Sequence, residues 1–125
     1  MAQKKTVLVV DDSRMTRFMI KKFFADNYPD WEVLEAANGA EALQIVETAD
    51  VDIMTLDVSM PGMDGVTLGV EMRKRFPDAS IALFTANIQQ ATQDKAKAAG
   101  LYFLPKPLND ERIQKFINHK DLSDD

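Results

Sequence analysis

The chain has 125 residues, 46% of them hydrophobic and 28% charged, with no cysteine and a net charge of -5. That length suits one domain with a real core, and the missing cysteine excludes disulfides, zinc ribbons and thiol catalysis. An acidic surface has no general attraction for phosphate backbones, and no apolar stretch approaches a membrane span, so neither a nucleic-acid partner nor membrane insertion is expected. The run TVLVVDD after MAQKK is too short for a signal-peptide core, which makes a cytoplasmic location the expectation.

Apolar runs alternate with helical patterns along the whole chain. Val7 to Val10 reads as a first strand ending on Asp11 and Asp12. Ser13 is a good N-cap, and Met15, Phe18, Met19 and Phe23 recur at helical spacing, which reads as a core-facing stripe. Trp31 to Ala36 reads as a weaker strand interrupted by Glu32 and Glu35, with Trp31 as a packing residue. Asn38 with Glu41 three positions on resembles a capping box, ahead of a stripe of Ala42, Leu43, Ile45 and Val46. Asp52 to Leu56 is a third strand ending on Asp57. The turn MPGMDG leads to a helix through Val66, Leu68, Val70 and Met72 that Pro77 stops.

Ser80 to Phe84 is a fourth strand ending at Thr85, and the helix over 89–99 is polar and alanine-rich, with Gly100 placed to end it. Leu101 to Leu104 is a fifth strand, followed by PKP, and Asn109 caps a last helix with apolar positions Leu108, Ile113, Phe116 and Ile117. The acidic tail DLSDD is expected to fray. Five strand–helix units joined by short loops point to an α/β fold, a parallel sheet covered on both faces, in a single domain over 1–125.

In an open parallel sheet, ligands sit beyond the carboxyl ends of the strands, where the strand order reverses. Asp11, Asp12, Asp57, Thr85 and Lys106 all stand at such ends. Crowded carboxylates resist full ionisation unless a cation neutralises them, and hard oxygen donors favour Mg²⁺. An Asp carboxylate flanked by Mg²⁺, a lysine and a hydroxyl can attack phosphorus and form an acyl phosphate. Any one of these residues alone is an ordinary turn, cap or surface residue; the set converging on one edge is what points to chemistry.

The segments LVVDDSR, TLDVSMPGMDG, FTA and PKP, in that order and spacing, resemble the receiver domains of two-component response regulators. The resemblance covers nearly the whole chain. It implies a five-stranded sheet of order 2-1-3-4-5 with five flanking helices, the flavodoxin-like doubly wound arrangement known for chemotaxis members of this family. It further implies that Asp57 is the phosphoacceptor, and that Mg²⁺ is held by Asp12 directly, Asp11 mainly through water, Asp57 and the Ser59 carbonyl. Lys106, Thr85 and the Ala86 backbone would contact the phosphoryl group, Pro107 would follow a cis bond, and Thr85 with Phe103 would form the switch. Ser59 and Asn87 fall at the positions that tune phosphoryl lifetime in the family.

The sequence departs from the family pattern in places: Pro105 removes a backbone donor just before Lys106, and Phe103 lacks a hydroxyl, so a switch there rests on packing. The expected protein is a stand-alone response regulator with no output domain and no enzymatic turnover beyond self-phosphorylation and slow self-dephosphorylation. A histidine kinase or phosphotransfer protein would dock on the first helix, which carries Arg14, Arg17, Lys21 and Lys22, although a solvated basic face fits those residues equally well. An effector would read the face of helix four, strand five and helix five. His119, the single histidine, reads as a solvated residue.

Three other readings stand beside this one. A relay intermediate would pass the phosphoryl group to a second histidine domain. An aspartyl-phosphate hydrolase of the haloacid dehalogenase type needs a second Asp two residues after the nucleophile, where this chain has Ser59. A flavin-binding module needs a glycine- and hydroxyl-rich loop after the first strand, where this chain has DDSRMTR.

Overall fold

The computed structural model describes residues 4–86, 89–106 and 108–123, the last five by their backbone alone. Asn87, Pro107 with its expected cis bond, and the His119 side chain lie outside the described residues. Five strands, β1 (Thr6–Val10), β2 (Glu32–Ala36), β3 (Ile53–Asp57), β4 (Ser80–Thr85) and β5 (Tyr102–Pro105), alternate with five helices. The helices are α1 (Arg14–Asn27), α2 (Gly39–Ile45), α3 (Gly65–Arg75), α4 (Gln90–Ala98) and α5 (Asp110–Ser123). All strand pairs are parallel and the order is β2-β1-β3-β4-β5, as expected.

The three central strands are apolar on both faces because helices cover both. Leu8, Val10, Met54, Leu56, Ile81 and Leu83 face α2, α3 and α4 through Ala42, Val46, Leu68, Met72 and Ala96. Val7, Val9, Ile53, Ala82 and Phe84 face α1 and α5 through Ile20, Phe23, Phe24, Ile113, Phe116 and Ile117. Strand alternation sends neighbouring residues to opposite layers. The edge strand β2 tolerates Glu32 and Glu35 since it is only partly covered. Trp31 precedes β2 and stacks on Tyr28 with ring centroids 4.1 Å apart, so its packing role holds.

The caps read from sequence form. Asn38 Oδ1 accepts from the Glu41 N–H at 2.9 Å, and Glu41 reaches back to the Ala37 N–H at 3.0 Å, one residue earlier than an ideal capping box. Asn109 Oδ1 accepts from the Arg112 N–H at 2.8 Å. Gly100, with φ +75, ends α4 in a Schellman arrangement, the Leu101 N–H reaching Ala96 O at 2.8 Å. Below this end, the Arg73 guanidinium donates to the carbonyls of Phe76, Pro77, Ala79 and Gly100, tying the α3–β4 loop to the end of α4.

Two expectations need correction. Met15, Phe18 and Met19 are 69%, 62% and 43% exposed, so the core face of α1 consists of Ile20, Phe23 and Phe24. Val70 likewise lies on the outer face of α3. Periodicity located these helices but did not say which of several apolar stripes turns inward. At the other end, α5 continues through Ser123, further than the expected fraying of DLSDD would place its end.

One buried polar group stands out in the middle of β3. Thr55 Oγ1 is buried without a hydrogen-bond partner. A buried unpaired hydroxyl forfeits its hydration without compensation. Thr55→Val is therefore expected to stabilise the fold by about 1 kcal/mol, read as an increased urea midpoint; an unchanged or lower midpoint counts against it.

Candidate functional site

The strand order reverses between β1 and β3, and the residues at that crevice are acidic. Carboxylate oxygens of Asp11, Asp12 and Asp57 all lie within 4.8 Å of one another. Asp11 and Asp57 are buried, at 2% and 3% exposure, whereas Asp12 is open to solvent. From the other side of the sheet, Lys106 Nζ reaches Asp57 Oδ1 at 3.2 Å and Asp11 Oδ2 at 3.9 Å. The structure thus gathers four of the sequence-read residues into one cluster. Thr85 ends β4 beside this edge, buried, with its carbonyl accepting from the Lys106 N–H at 2.8 Å. Ala86 follows it, exposed.

Backbone geometry holds each acid in place. Asp11 Oδ1 accepts from the Ser13 N–H at 2.8 Å, and the Ser13 hydroxyl in turn caps α1 through the Thr16 N–H at 3.2 Å. Asp57 Oδ1 accepts from the Ser59 N–H at 3.3 Å. Behind Asp57, Gly65 opens α3 so close to β3 that a Cβ there would collide with the Asp57 carbonyl. Any side chain at position 65 would push the helix off the strand that carries Asp57.

Three guanidinium and ammonium groups of α1 are bound up in structure. Arg17 Nε and Lys21 Nζ share the Glu35 carboxylate at 3.1 and 2.9 Å, and Arg17 Nη1 also donates to Asp11 O at 2.6 Å. Lys22 pairs with Asp26 at 3.0 Å, and Arg14 is exposed. The distinctive exposed feature of this helix is apolar, Met15 with Phe18 and Met19. Sequence reasoning missed the Arg17 contact with Asp11, because a bond to a backbone carbonyl leaves no pattern in the residue types.

Electrostatics of the cluster follow from burial. Desolvation lifts Asp11 to a pKa of about 6, with the Ser13 N–H opposing and the Asp57 charge reinforcing the rise. Burial also raises Asp57, against the opposing pull of Lys106. Asp11 Oδ2 is buried with no hydrogen-bond partner. Three carboxylates facing one ammonium leave an excess of two negative charges, and an oxygen without a donor is placed to meet a cation. The donor set is all oxygen, which suits a hard divalent ion such as Mg²⁺.

The response regulator receiver domain model matches residues 7–118. The chain belongs to the response regulator receiver domain family. It is 35% identical over 114 residues to the chemotaxis protein CheY of Bacillus subtilis, covering 90% of this chain and 93% of that protein. Among solved structures, the chemotaxis protein CheY4 of Vibrio cholerae is 31% identical with a TM-score of 0.84, covering 94% of this chain and 98% of that one. The response regulator TrrA of Thermotoga maritima, solved in complex with Mg(2+)-BeF, is 30% identical with a TM-score of 0.80, over 93% of this chain and 98% of that one. No helix among the described residues is long and apolar enough to cross a membrane.

The raised Asp11 pKa makes the sign of a pH effect explicit. Between the unfolded value near 3.8 and the folded value of about 6, the folded state binds more protons, so stability falls as pH rises through that window. Above it the full loss applies, at most about 3 kcal/mol. In metal-free buffer, Asp11→Asn is expected to raise the melting temperature at pH 7.5 and to have little effect at pH 4. An equal change at both values would show that burial of the charge is not the cause.

Proposed function

We propose that Asp57 accepts a phosphoryl group from a phosphohistidine donor and that the protein signals through the loaded state. The observation that carries this is the Asp57 carboxylate, buried at the strand-order reversal, with Lys106 at 3.2 Å and two further carboxylates within 4.8 Å. In the transfer, a carboxylate oxygen of Asp57 forms the new bond to phosphorus while the phosphorus–nitrogen bond of the donor breaks. The imidazole leaves and takes up a proton. A bound Mg²⁺ would neutralise charge developing on the phosphoryl oxygens. Asp12, Asp57 and the Ser59 carbonyl would hold it, with Asp11 acting mainly through water.

The chain's own residues have separate tasks. Lys106 offers a compact positive charge to a phosphoryl oxygen, and giving that charge up to the phosphoryl group loosens its pair with Asp57. Thr85 and the Ala86 backbone contact the phosphoryl group from the end of β4. Phosphorylation adds roughly -1.5 to -2 charges, a large change for so compact a site. Phe103, in β5, reports it to the face of α4, β5 and α5. In support, Phe103 lines a hollow of about 150 Å³ with Gln90, Gln93, Asp94, Lys97 and Leu101, so its ring has room beside it at that face. The exposed Met15, Phe18 and Met19 give α1 an apolar surface for the histidine donor. An effector protein then reads the α4, β5 and α5 face.

Incubation with acetyl phosphate and Mg²⁺ tests this, followed by intact-mass measurement. One phosphoryl group per chain is expected, absent when the metal is chelated before the donor is added and absent in Asp57→Asn. Lys106→Met is expected to slow loading by about 10²-fold, as removal of one preorganised charge at a transition state does. Loading of Asp57→Asn at the native rate would sink the proposal.

A further inference from the structure

We propose that Arg112 is a positioning residue for Lys106, acting through the Pro105–Lys106 peptide; this rests on the reading of Lys106 as the group that meets the phosphoryl oxygens. Strand β5 lies at the sheet edge, so β4 is its one strand neighbour. Pro105 pairs with Thr85, and because the next N–H, from Lys106, is the one that points to β4, the Pro105 carbonyl faces the open edge of the sheet. Among the described residues no strand pairs with that edge.

A single peptide plane anchors the strand end on both sides. Its N–H, from Lys106, donates to Thr85 O at 2.8 Å. Its carbonyl, from Pro105, accepts from Arg112 Nη1 at 2.6 Å. A planar peptide fixed at both polar ends has little freedom to rotate, so the Lys106 Cα is set. A hydrogen bond from a guanidinium is stronger than one between neutral groups, and 2.6 Å is short for N–H···O. Arg112 is itself fixed, its N–H capped by Asn109 Oδ1 at 2.8 Å and its helix seated by Ile113, Phe116 and Ile117. The chain of contacts runs from a core-packed helix, through the guanidinium and the peptide, to Nζ at 3.2 Å from Asp57.

The acidic side of the site has a counterpart. Arg17 Nη1 donates to the carbonyl of Asp11 at the same 2.6 Å. Each arginine comes from the first turn of the helix that follows the strand it steadies. The expected consequence is that Arg112 affects phosphoryl chemistry only through Lys106.

The test is a double-mutant cycle on full-length protein with two readouts. The first is the rate of loading by acetyl phosphate and Mg²⁺ for wild type, Arg112→Met, Arg112→Lys, Lys106→Met and the Arg112→Met/Lys106→Met pair. Arg112→Met is expected to slow loading about tenfold, the lower end of what loss of an orienting partner costs. It should add nothing in the Lys106→Met background, and Arg112→Lys, which keeps one donor, should recover part of the rate. The second readout is amide hydrogen exchange at Lys106 in the unphosphorylated protein. Exchange there should speed up about tenfold in Arg112→Met, as loss of one supporting hydrogen bond predicts, while Val9 and Leu83 keep their protection.

Equal losses in both backgrounds, or native loading with unchanged Lys106 exchange, would overturn the proposal. If wild type does not load at all, the phosphoacceptor reading fails, and the exchange readout still decides whether Arg112 holds this peptide.

Discussion

Three carboxylates share one edge of the sheet with a single ammonium to oppose them, and the remainder of the fold is arranged to hold that imbalance. Left to itself, like charge at this spacing would spread apart or stay protonated. Here it cannot spread, because Asp11 and Asp57 leave strands whose flanking residues are buried on both faces. The apolar layers supply the rigidity, and backbone N–H groups at Ser13 and Ser59 supply the orientation. A site so constrained responds strongly to any added charge. It has few ways to relax other than by exchanging the partners of Lys106.

The strands, their order of appearance and the residues at their ends were legible because each central strand is an apolar run, interrupted only by Thr55 in β3, that is closed by a polar residue. Asn38, Glu41 and Asn109 were legible because caps depend on residue type at fixed offsets. The inward face of α1 was not. Met15, Phe18 and Met19 satisfy helical spacing as well as Ile20, Phe23 and Phe24 do, and only packing against the sheet layer of Val7, Val9, Ile53, Ala82 and Phe84 selects between them. Arg17 and Arg112 also escaped, since both act on carbonyls that every residue possesses. The close approach of Gly65 to Asp57 was hidden for a related reason: a turn rich in glycine does not say which glycine lies against another strand.

Pro105 shows how a local departure from a family pattern can be absorbed. A proline inside a central strand would leave an unanswered carbonyl on its neighbour. At the end of an edge strand the loss is confined, and the adjoining carbonyl becomes available to a side chain from the next helix. The position of the lysine then depends on α5 as well as on the sheet. That makes the first turn of α5 part of the site in a mechanical sense, although none of its carboxylates or cations lines the acidic cluster.

The tether between Arg73 and the end of α4 has a geometric consequence. With the Gly100 carbonyl held to α3 and the β4 loop, the helix cannot slide along its axis without breaking charge-assisted bonds. Tilting keeps them. Nine residues at 1.5 Å each make a lever of about 14 Å, so a tilt of about 10° about the held end carries the opposite end through roughly 2.4 Å. That moving end adjoins β4 at the point where it leaves the acidic cluster. A displacement at that end is thus taken up as tilt and dies away over one helical length, while the loop at the far side of the sheet stays still.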